Sequence, residues 1–366
     1  MYLSFDDDVV RAAAEADPIG FAGDLPARVI LDEVQRVPGL FTSLKLVIDR
    51  DRAPGRFILT GSANVLLVPR VADSLAGRME ILRLHPLSQS ELAGIRPAFI
   101  DRLFSDGFKG GTHERLRGDL MTRIAGGGYP AALARKSSRR TMWYRDYIET
   151  LVQRDVRDLT RISSLDTLPR LLALAGGQTA RLLNATDLSS PFHLSRPTIR
   201  DYLTLLERVF LLDILPPWHN NRMSRLVKTP KLHVADTGVA CALLGYDEDD
   251  LLRDRPTLGQ FLETFVLQEL RRDATAQERP ITFHHFRDRD GAEVDIVLEQ
   301  GARGVAGVEV KAAATVNAAD FRGLRRLKNG AGQRFTTGVV LYDGEATVPF
   351  GEGLYAVPIR ALWETT

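Results

Sequence analysis

The stretch from Arg28 to Asn64 places acidic side chains at the end of an apolar segment. It opens with the apolar residues 29–31, which run directly into Asp32 and Glu33. Three apolar residues, two of them β-branched, are typical of a buried strand. A helical pattern and a second apolar segment, 56–60, follow. A strand–helix–strand unit of this length predicts a parallel sheet, with its chemistry at the carboxyl ends of the strands.

The polar residues at this predicted sheet edge are Asp32, Glu33, Thr60, Ser62 and Asn64. In a P-loop NTPase the first acid holds Mg²⁺, the second polarises the attacking water, and the polar tip of the next strand senses the γ-phosphate. An Asp-Glu pair after a strand also caps a helix well, and the acids alone favour that simpler interpretation. The polar tip of the second strand favours the nucleotide site.

A site of this kind normally includes a glycine-rich phosphate loop, G-x-x-x-x-G-K-[ST], whose amides and lysine surround the phosphates. None of the seven lysines in the sequence follows a glycine. The glycine runs at 126–128 and 176–177 have the character of turns without the cationic residue. The sequence therefore lacks the phosphate-binding half of the site.

The overall composition is that of a soluble globular protein with two or three domains. The chain has 366 residues, 44% of them hydrophobic and 26% charged. It has no apolar run of membrane-spanning length and no signal-peptide pattern, so we expect a cytoplasmic protein without membrane contact. Its one cysteine, Cys241, lies in an apolar run and is expected to be a small buried residue.

Charge is distributed unevenly along the chain. The formal net charge is +1, but residues 135–231 contain 17 Lys and Arg against 9 Asp and Glu, a local charge of +8. A basic middle region is compatible with nucleic-acid binding, although such charge also occurs on solvated faces without a partner.

The basic region includes a predicted winged helix over residues 166–250. Helical patterns at 168–175 and 186–189, a third helix opening at 194–198 and a strand at 210–215 support it. Helix–turn–helix modules insert their recognition helix into the DNA major groove. The candidate contacts are Arg196, Thr198, Arg200 and Arg208. Winged helices also serve as protein-packing modules, and the two interpretations stand equal.

The last third of the sequence contains a second set of acids. A helix around 261–270 carries Glu263, and strands are predicted at 281–287, 292–298, 304–311 and 337–342, with a helix at 320–327. Asp295 interrupts an apolar strand, while Glu309 and Lys311 project from one face of the next. Carboxylates suit Mg²⁺, with Asp295 and Glu309 as its ligands, and a lysine can orient water or stabilise phosphate charge. The simpler alternative is a surface salt-bridge pattern.

Four segments together resemble a known family. Residues 29–38, 57–62, 74–78 and 86–88 resemble, in order and spacing, the prokaryotic AAA-type ATP-binding proteins whose C-terminal domain was long catalogued as of unknown function. The resemblance implies ATP and Mg²⁺ as cofactors. It makes Asp32 and Glu33 the Walker B pair, with Asp32 a metal ligand, residues 60–62 the sensor tip, and Arg78 a phosphate-facing arginine.

The C-terminal acids add a second resemblance. With the element order αβββαβ, the segments Gly291–Ile296 and Val308–Lys311 resemble the PD-(D/E)xK nuclease superfamily. Asp295, Glu309 and Lys311 match its motif and Glu263 its helix acid. That superfamily also includes non-catalytic relatives, so the resemblance leaves open whether Mg²⁺-dependent cutting occurs.

The resemblance fails at one point. In the AAA-type family the first strand and the Walker A loop lie upstream of the part that resembles residues 2–7. We therefore expect an N-terminally truncated ATPase core, with an unpaired gap between the strands at 56–60 and 79–84. The expected consequences are weak or absent ATP binding, and a strand with the missing loop encoded just upstream.

The sequence thus predicts an α/β multidomain protein with four parts. They are a truncated P-loop AAA-type parallel sheet (1–90), a helical lid or linker (91–165), a winged helix (166–250) and a PD-(D/E)xK-like domain (251–366). The expected role is that of an AAA-family protein acting on or with nucleic acid, with a protein partner or homo-oligomer also open. The alternatives are a non-catalytic regulator or scaffold that binds DNA or protein, and a mis-started or decayed gene product without ATPase activity.

Overall fold

The structure is a computed structural model that describes residues 1–62, 75, 77–105, 107–153, 166–219, 228–302 and 304–364. The chain forms two compact units. The first comprises residues 1–84, 149–168 and 201–210, and the second comprises residues 85–148, 169–200 and 211–366. The described residues form a mixed α/β chain with three separate sheets, in agreement with the predicted α/β multidomain class.

The first unit contains a three-stranded parallel sheet with the order β1-β2-β3. Leu31 pairs with Leu3 on one side and with Leu59 on the other, so β2 is the central strand. The elements are β1 (Tyr2–Ser4), α1 (Asp8–Ala16), α2 (Pro18–Asp24), β2 (Val29–Asp32), α3 (Leu40–Arg50) and β3 (Phe57–Leu59). The strand–helix–strand unit predicted from residues 28–64 is therefore confirmed.

The core of this unit fixes the end of β2. Leu40, Phe41 and Leu44 lie on one face of α3 and are buried with Leu31 and Phe5. Each fully buried side chain of this size contributes about 1.5–3 kcal/mol. Because Leu31 is anchored in this core, the next residue, Asp32, emerges at a defined position at the strand end.

The strand predicted at Met79–Leu84 is absent. Residues 79–84 adopt neither helix nor strand, and the side chains of Leu82 and Leu84 are 88% and 97% exposed. An apolar segment becomes a strand only when another strand satisfies its backbone groups. None of the described strands pairs with residues 79–84.

A helical region precedes the central part of the chain. It consists of α4 (Gln89–Ala93), α5 (Phe99–Leu103), the two-residue strand β4 (Gly111–Thr112), α6 (Gly118–Gly126), α7 (Pro130–Leu133) and α8 (Ser137–Leu151). The segment predicted as a helical lid or linker, residues 91–165, contains most of these helices, and its residues 106 and 154–165 lie outside the described part of the chain.

The central part of the chain has the element order helix, strand, helix, helix, strand, strand. The elements are α9 (Thr167–Gly177), β5 (Arg181–Leu182), α10 (Ala185–Ser189), α11 (Arg196–Arg208), β6 (Leu212–Leu215) and β7 (Lys231–Val234). The strands form an antiparallel sheet in which β7 lies between β5 and β6. The three predicted helices and the strand at 210–215 are present. The winged-helix prediction also places a wing after this strand, at 216–217 and 220–221, and residues 220 and 221 lie outside the described part of the chain.

The C-terminal part forms a seven-stranded mixed sheet with the order β4-β12-β13-β11-β10-β9-β8. Its elements are α12 (Thr237–Leu244), α13 (Glu248–Arg253), α14 (Arg255–Ala274), β8 (Thr282–Arg287), β9 (Glu293–Gln300), β10 (Gly304–Lys311), α15 (Arg322–Ala331), β11 (Phe335–Tyr342), β12 (Ala346–Pro349) and β13 (Leu354–Pro358). The predicted order αβββαβ runs from α14 to β11. The strands β12 and β13 were not predicted.

The core of this sheet holds its central strands against α15. Val294 and Val297 of β9 and Val305 of β10 are fully buried with Leu324 and Leu327 of α15. The helix α14 is buried on nearly all sides, in agreement with its run of apolar residues. Among the described residues, no helix is both long and apolar enough to cross a membrane.

Candidate functional site

The polar end of the N-terminal sheet is built around Asp32. Its Oδ2 accepts hydrogen bonds from the Tyr2 hydroxyl at 2.7 Å and from Ser4 Oγ at 3.2 Å, while Oδ1 accepts one from Thr60 Oγ1. These hydroxyl bonds, led by that of Thr60, hold the pKa of Asp32 below its usual value. Asp32 is therefore an ionised carboxylate held by three hydroxyl groups, two from β1 and one from the residue that follows β3. We call Asp32, Glu33, Thr60 and Ser62 the N-terminal acid cluster.

Glu33 turns away from the strand in an unusual backbone conformation. Its φ of 56° and ψ of 42° lie in the left-handed region, which is strained for a residue with a side chain. The carboxylate accepts hydrogen bonds from Gln35 Nε2 and, at 3.4 Å, from Ser62 Oγ. The two predicted acids and the two predicted polar residues therefore do lie together at one sheet edge.

The remaining residues predicted for the nucleotide site are placed differently. Arg78 forms a two-pronged ion pair with Asp49 of α3, with Nε 2.7 Å from Oδ1 and Nη2 3.1 Å from Oδ2. Asn64 lies outside the described residues. The structure thus brings four of the six predicted residues into one hydrogen-bonded cluster and attaches Arg78 to α3.

The acid pair fits a nucleotide-associated Mg²⁺ ion. Asp32 is ionised and at the carboxyl end of a parallel strand, where such an ion is held, and Glu33 lies beside it. When bound, the ion would neutralise phosphate charge. The protein's own part is to keep Asp32 oriented through its hydroxyl partners and Glu33 oriented through Gln35.

The predicted nucleic-acid residues lie along α11. Arg196 and Arg200, one turn apart, are exposed. Thr198 forms hydrogen bonds at the start of the helix. Its hydroxyl lies 2.8 Å from Ser195 Oγ, and its amide donates a hydrogen bond to the same oxygen. Arg208, three turns further on, is half-buried. The exposed basic part of the helix is thus its first turn and a half.

The predicted C-terminal acids also converge. β9 and β10 are antiparallel, so the start of β9, with Asp295, lies beside the end of β10, with Glu309 and Lys311. Asp295 Oδ2 accepts a hydrogen bond of 3.0 Å from the Val310 amide. Glu263 of α14 and Asp295 both form an ion pair with the same cation. We call Glu263, Glu293, Asp295 and Glu309 the C-terminal carboxylate cluster.

The shared cation is Lys231, which we did not predict. Its Nζ lies 2.8 Å from Glu263 Oε1, 2.7 Å from Glu293 Oε1 and 3.1 Å from Asp295 Oδ1. The side chain is only 2% exposed. In the sequence Lys231 is a single lysine opening a short strand, and no local pattern indicates that it meets acids 32 to 64 residues further on. Only the tertiary fold brings them together.

The other lysine of the site pairs with the remaining acid. Lys311 Nζ lies 2.9 Å from Glu309 Oε1. Burial, together with the charge of Asp295, raises the pKa of Glu309 to about 8. Burial likewise raises the pKa of Glu263 well above its usual value.

With Lys231 in place, the C-terminal cluster does not fit a Mg²⁺ ion. Mg²⁺ requires oxygen ligands at about 2.0–2.1 Å, and the position between the carboxylates is held by an ammonium nitrogen. Within the described ranges, no group of three or more His, Cys, Asp or Glu side chains has an arrangement that could hold a metal ion. The two predicted metal ligands, Asp295 and Glu309, thus lie on adjacent strands, but each carboxylate forms an ion pair with a lysine.

Comparison with known proteins matches three segments of the chain to domain families. Residues 1–93 match an AAA domain, residues 117–250 match a domain of unknown function (DUF8612), and residues 258–362 match a domain of unknown function (DUF4143). An AAA domain implies dependence on a nucleotide and Mg²⁺.

Two curated relatives extend along almost the whole chain. An uncharacterized protein of Mycobacterium bovis and one of Mycobacterium tuberculosis are each 29% identical to it over 359 residues. The matches cover 98% of this chain and 74% of each relative. The chain therefore carries the AAA domain of an ATPase-like protein at its N-terminus and a DUF4143 domain at its C-terminus.

Proposed function

We propose that this chain is an AAA-type protein that acts with nucleic acid. In this proposal its N-terminal acid cluster responds to a nucleotide with Mg²⁺. Its C-terminal domain is a nuclease-like module, and its central winged-helix region supplies contacts to phosphates. ATP binding by the chain itself is expected to be weak, because its sequence contains no glycine–lysine phosphate loop.

One observation carries the nuclease-like part of the proposal. Glu263, Asp295, Glu309 and Lys311 come from a helix and two strands and gather at one edge of the C-terminal sheet. Glu263 and Asp295 both form ion pairs with Lys231, and Glu309 lies on the strand next to that of Asp295. Lys311 forms an ion pair with Glu309. A surface salt-bridge pattern would leave such groups exposed, whereas Glu263 and Asp295 have side chains only 12% and 11% exposed.

The nucleic-acid part is supported by the charge of the middle region. Residues 135–231 carry a local charge of +8, and Arg196 and Arg200 are exposed at the start of α11. Arginine side chains at this end of a helix reach phosphate oxygens and base edges in the major groove. The acidic C-terminal cluster would not by itself attract a polyanion.

An experiment on one preparation tests both parts. The full chain is mixed with end-labelled duplex DNA and single-stranded RNA at low salt with Mg²⁺, and both retention and integrity of the strands are measured. We expect retention of intact nucleic acid. The absence of any retention at low salt would contradict the proposal.

A second function is favoured by the position of Lys231. An ammonium group that forms ion pairs with three carboxylates is what a non-catalytic regulator or scaffold would retain at a former cutting site. Intact strands in the experiment above fit this role, whereas cleavage that Asp295→Asn abolishes would exclude it. A scaffold for protein alone would retain neither DNA nor RNA.

A further inference from the structure

We infer that Lys231 is the resident cation of the C-terminal carboxylate cluster, and that a divalent metal binds there only when this lysine is removed. The inference deepens the proposed function, since it gives the reason why a nuclease-like site would hold nucleic acid without cutting it. It can nevertheless be tested with a metal ion alone, independently of nucleic acid.

The first support is the coordination of the ammonium group. A lysine ammonium has three N–H donors, and Lys231 has three carboxylate oxygens at 2.7, 2.8 and 3.1 Å. One comes from α14 and two come from β9, so the acceptors surround the nitrogen from separate elements. A metal ion held by the same oxygens would have to occupy the position of the nitrogen.

The second support is the rigidity of the backbone that carries the lysine. β7 is the central strand of its sheet, and Lys231 pairs with Leu182 of β5 on one side and with Leu215 of β6 on the other. The preceding carbonyl, that of Pro230, accepts a hydrogen bond from the Leu183 amide. Because β7 is paired with a strand on each side at Lys231, a shift of the strand cannot move this side chain away from the carboxylates.

The third support is that the lysine keeps its charge. Three carboxylate oxygens lie within 3.1 Å of its ammonium nitrogen, and opposite charges this close favour the charged form of the lysine. The buried His233 lies beside the cluster, with Nε2 3.8 Å from Glu263 Oε1. Burial and the charge of Lys231 keep the pKa of His233 well below its usual value, so this histidine adds no second cation.

The remaining members of the cluster are already paired. Glu293 Oε2 lies 3.4 Å from Arg287 Nη1, and Glu309 lies against Lys311. Four carboxylates are thus opposed by two lysines and one arginine. Neutralising Lys231 would leave Glu263, Asp295 and Glu293 without their common cation, and buried carboxylates without a cation take up metal or protons.

The test measures Mn²⁺ binding to the full chain by calorimetry and by the Mn²⁺ paramagnetic resonance signal. All proteins carry Asp32→Asn, so that the N-terminal acid cluster does not contribute. Lys231→Met removes the charge and keeps the length of the side chain. Lys311→Met is the matched control, because it removes a lysine of the same site that does not lie between the carboxylates.

We expect Lys231→Met to bind Mn²⁺ at least on the order of tenfold more tightly than the parent and than Lys311→Met. Adding Asp295→Asn to Lys231→Met should abolish that gain. Equal affinity in the parent and in Lys231→Met would overturn the inference. If Lys231→Met does not fold, Mn²⁺ binding to the parent protein tests the inference instead. A Mn²⁺ site in the parent that Asp295→Asn removes would overturn the inference, and the absence of such a site would support it.

Discussion

Arg272 Nη2 lies 2.9 Å from Asp236 Oδ2, and the two side chains are only 4% and 1% exposed. Asp236 also caps α12 through the amides of Gly238 and Val239, so this ion pair ties the start of α12 to the long helix α14. Arg272 also reaches Glu269 and the carbonyl of Leu87.

Removal of this arginine should destabilise the protein strongly. Arg272→Met leaves Asp236 and Glu269 as buried carboxylates without a cation, and breaking such a pair costs about 3–5 kcal/mol. Urea denaturation measures the loss. Asp119→Asn, which breaks the exposed pair with Arg123, is the control and should change the free energy of unfolding by less than about 1 kcal/mol. Equal effects of the two substitutions would contradict the account.

The stability of the protein should fall as the pH rises through the range in which Asp273 titrates. Burial, with the charge of Glu269, raises the pKa of Asp273 to about 8 in the folded state. The folded state therefore binds more protons than the unfolded state between about pH 4 and pH 8, so the free energy of unfolding decreases as pH rises, by up to about 1.4 kcal/mol per pH unit. Glu269, whose pKa burial raises to about 7, acts in the same direction.

Asp273→Asn should flatten this dependence, because an amide does not titrate. Urea denaturation at several values between pH 5 and pH 8.5 compares the slopes of the parent and the variant. An unchanged slope in Asp273→Asn would show that the decrease comes from other groups.

Lys231 should be coupled energetically to Glu263. Lys231→Met alone leaves the carboxylates of Glu263, Asp295 and Glu293 without their shared cation, and the loss should be reduced when Glu263→Gln removes one of the charges. A double-mutant cycle should give a coupling energy of about 1–3 kcal/mol. The same cycle between Lys311 and Glu263 is the control, since the structure gives no hydrogen bond or ion pair between that lysine and Glu263. Additive effects in the Lys231 cycle would be incompatible with the geometry.

Two helical glycines should respond in opposite directions to alanine. A Cβ at Gly323 of α15 would lie 1.7 Å from the Glu293 carbonyl oxygen, so Gly323→Ala forces α15 away from β9 and should cost about 1–3 kcal/mol. A Cβ at Gly259 of α14 meets nothing within 4 Å, and Gly259→Ala should stabilise the protein by about 0.5–1 kcal/mol. Thermal unfolding distinguishes them, and destabilisation by both would count against the packing described here.

Much of both candidate sites could be predicted from local patterns. The segment 29–33 is apolar and then acidic, and that pattern alone indicates a buried strand with carboxylates at its end. The strands that carry Asp295 and Glu309 lie in apolar runs, and a hairpin turn signal at 288–291 joins the first of them to the strand before it. In such segments propensity, burial and turn chemistry agree.

What could not be predicted depends on contacts distant in sequence. Lys231 lies in a different sheet from Glu293 and Asp295, and its role follows only from the packing of β7 beside α14 and β9. The strand predicted at Met79–Leu84 failed for the same reason, because an apolar run specifies a strand only together with a neighbour. The assignment of Arg196 and Arg200 to nucleic acid remains a prediction.

The most direct test of the central claim is the salt dependence of DNA affinity. The observed binding constant for a duplex should fall steeply with salt, and Arg196→Ala/Arg200→Ala should weaken binding and reduce the slope by about 2. Arg253→Ala/Arg255→Ala removes the same charge from exposed positions elsewhere in the second unit and should leave the slope unchanged. Salt-independent binding, or equal slopes in both double variants, would contradict the claim that this protein acts on nucleic acid through α11.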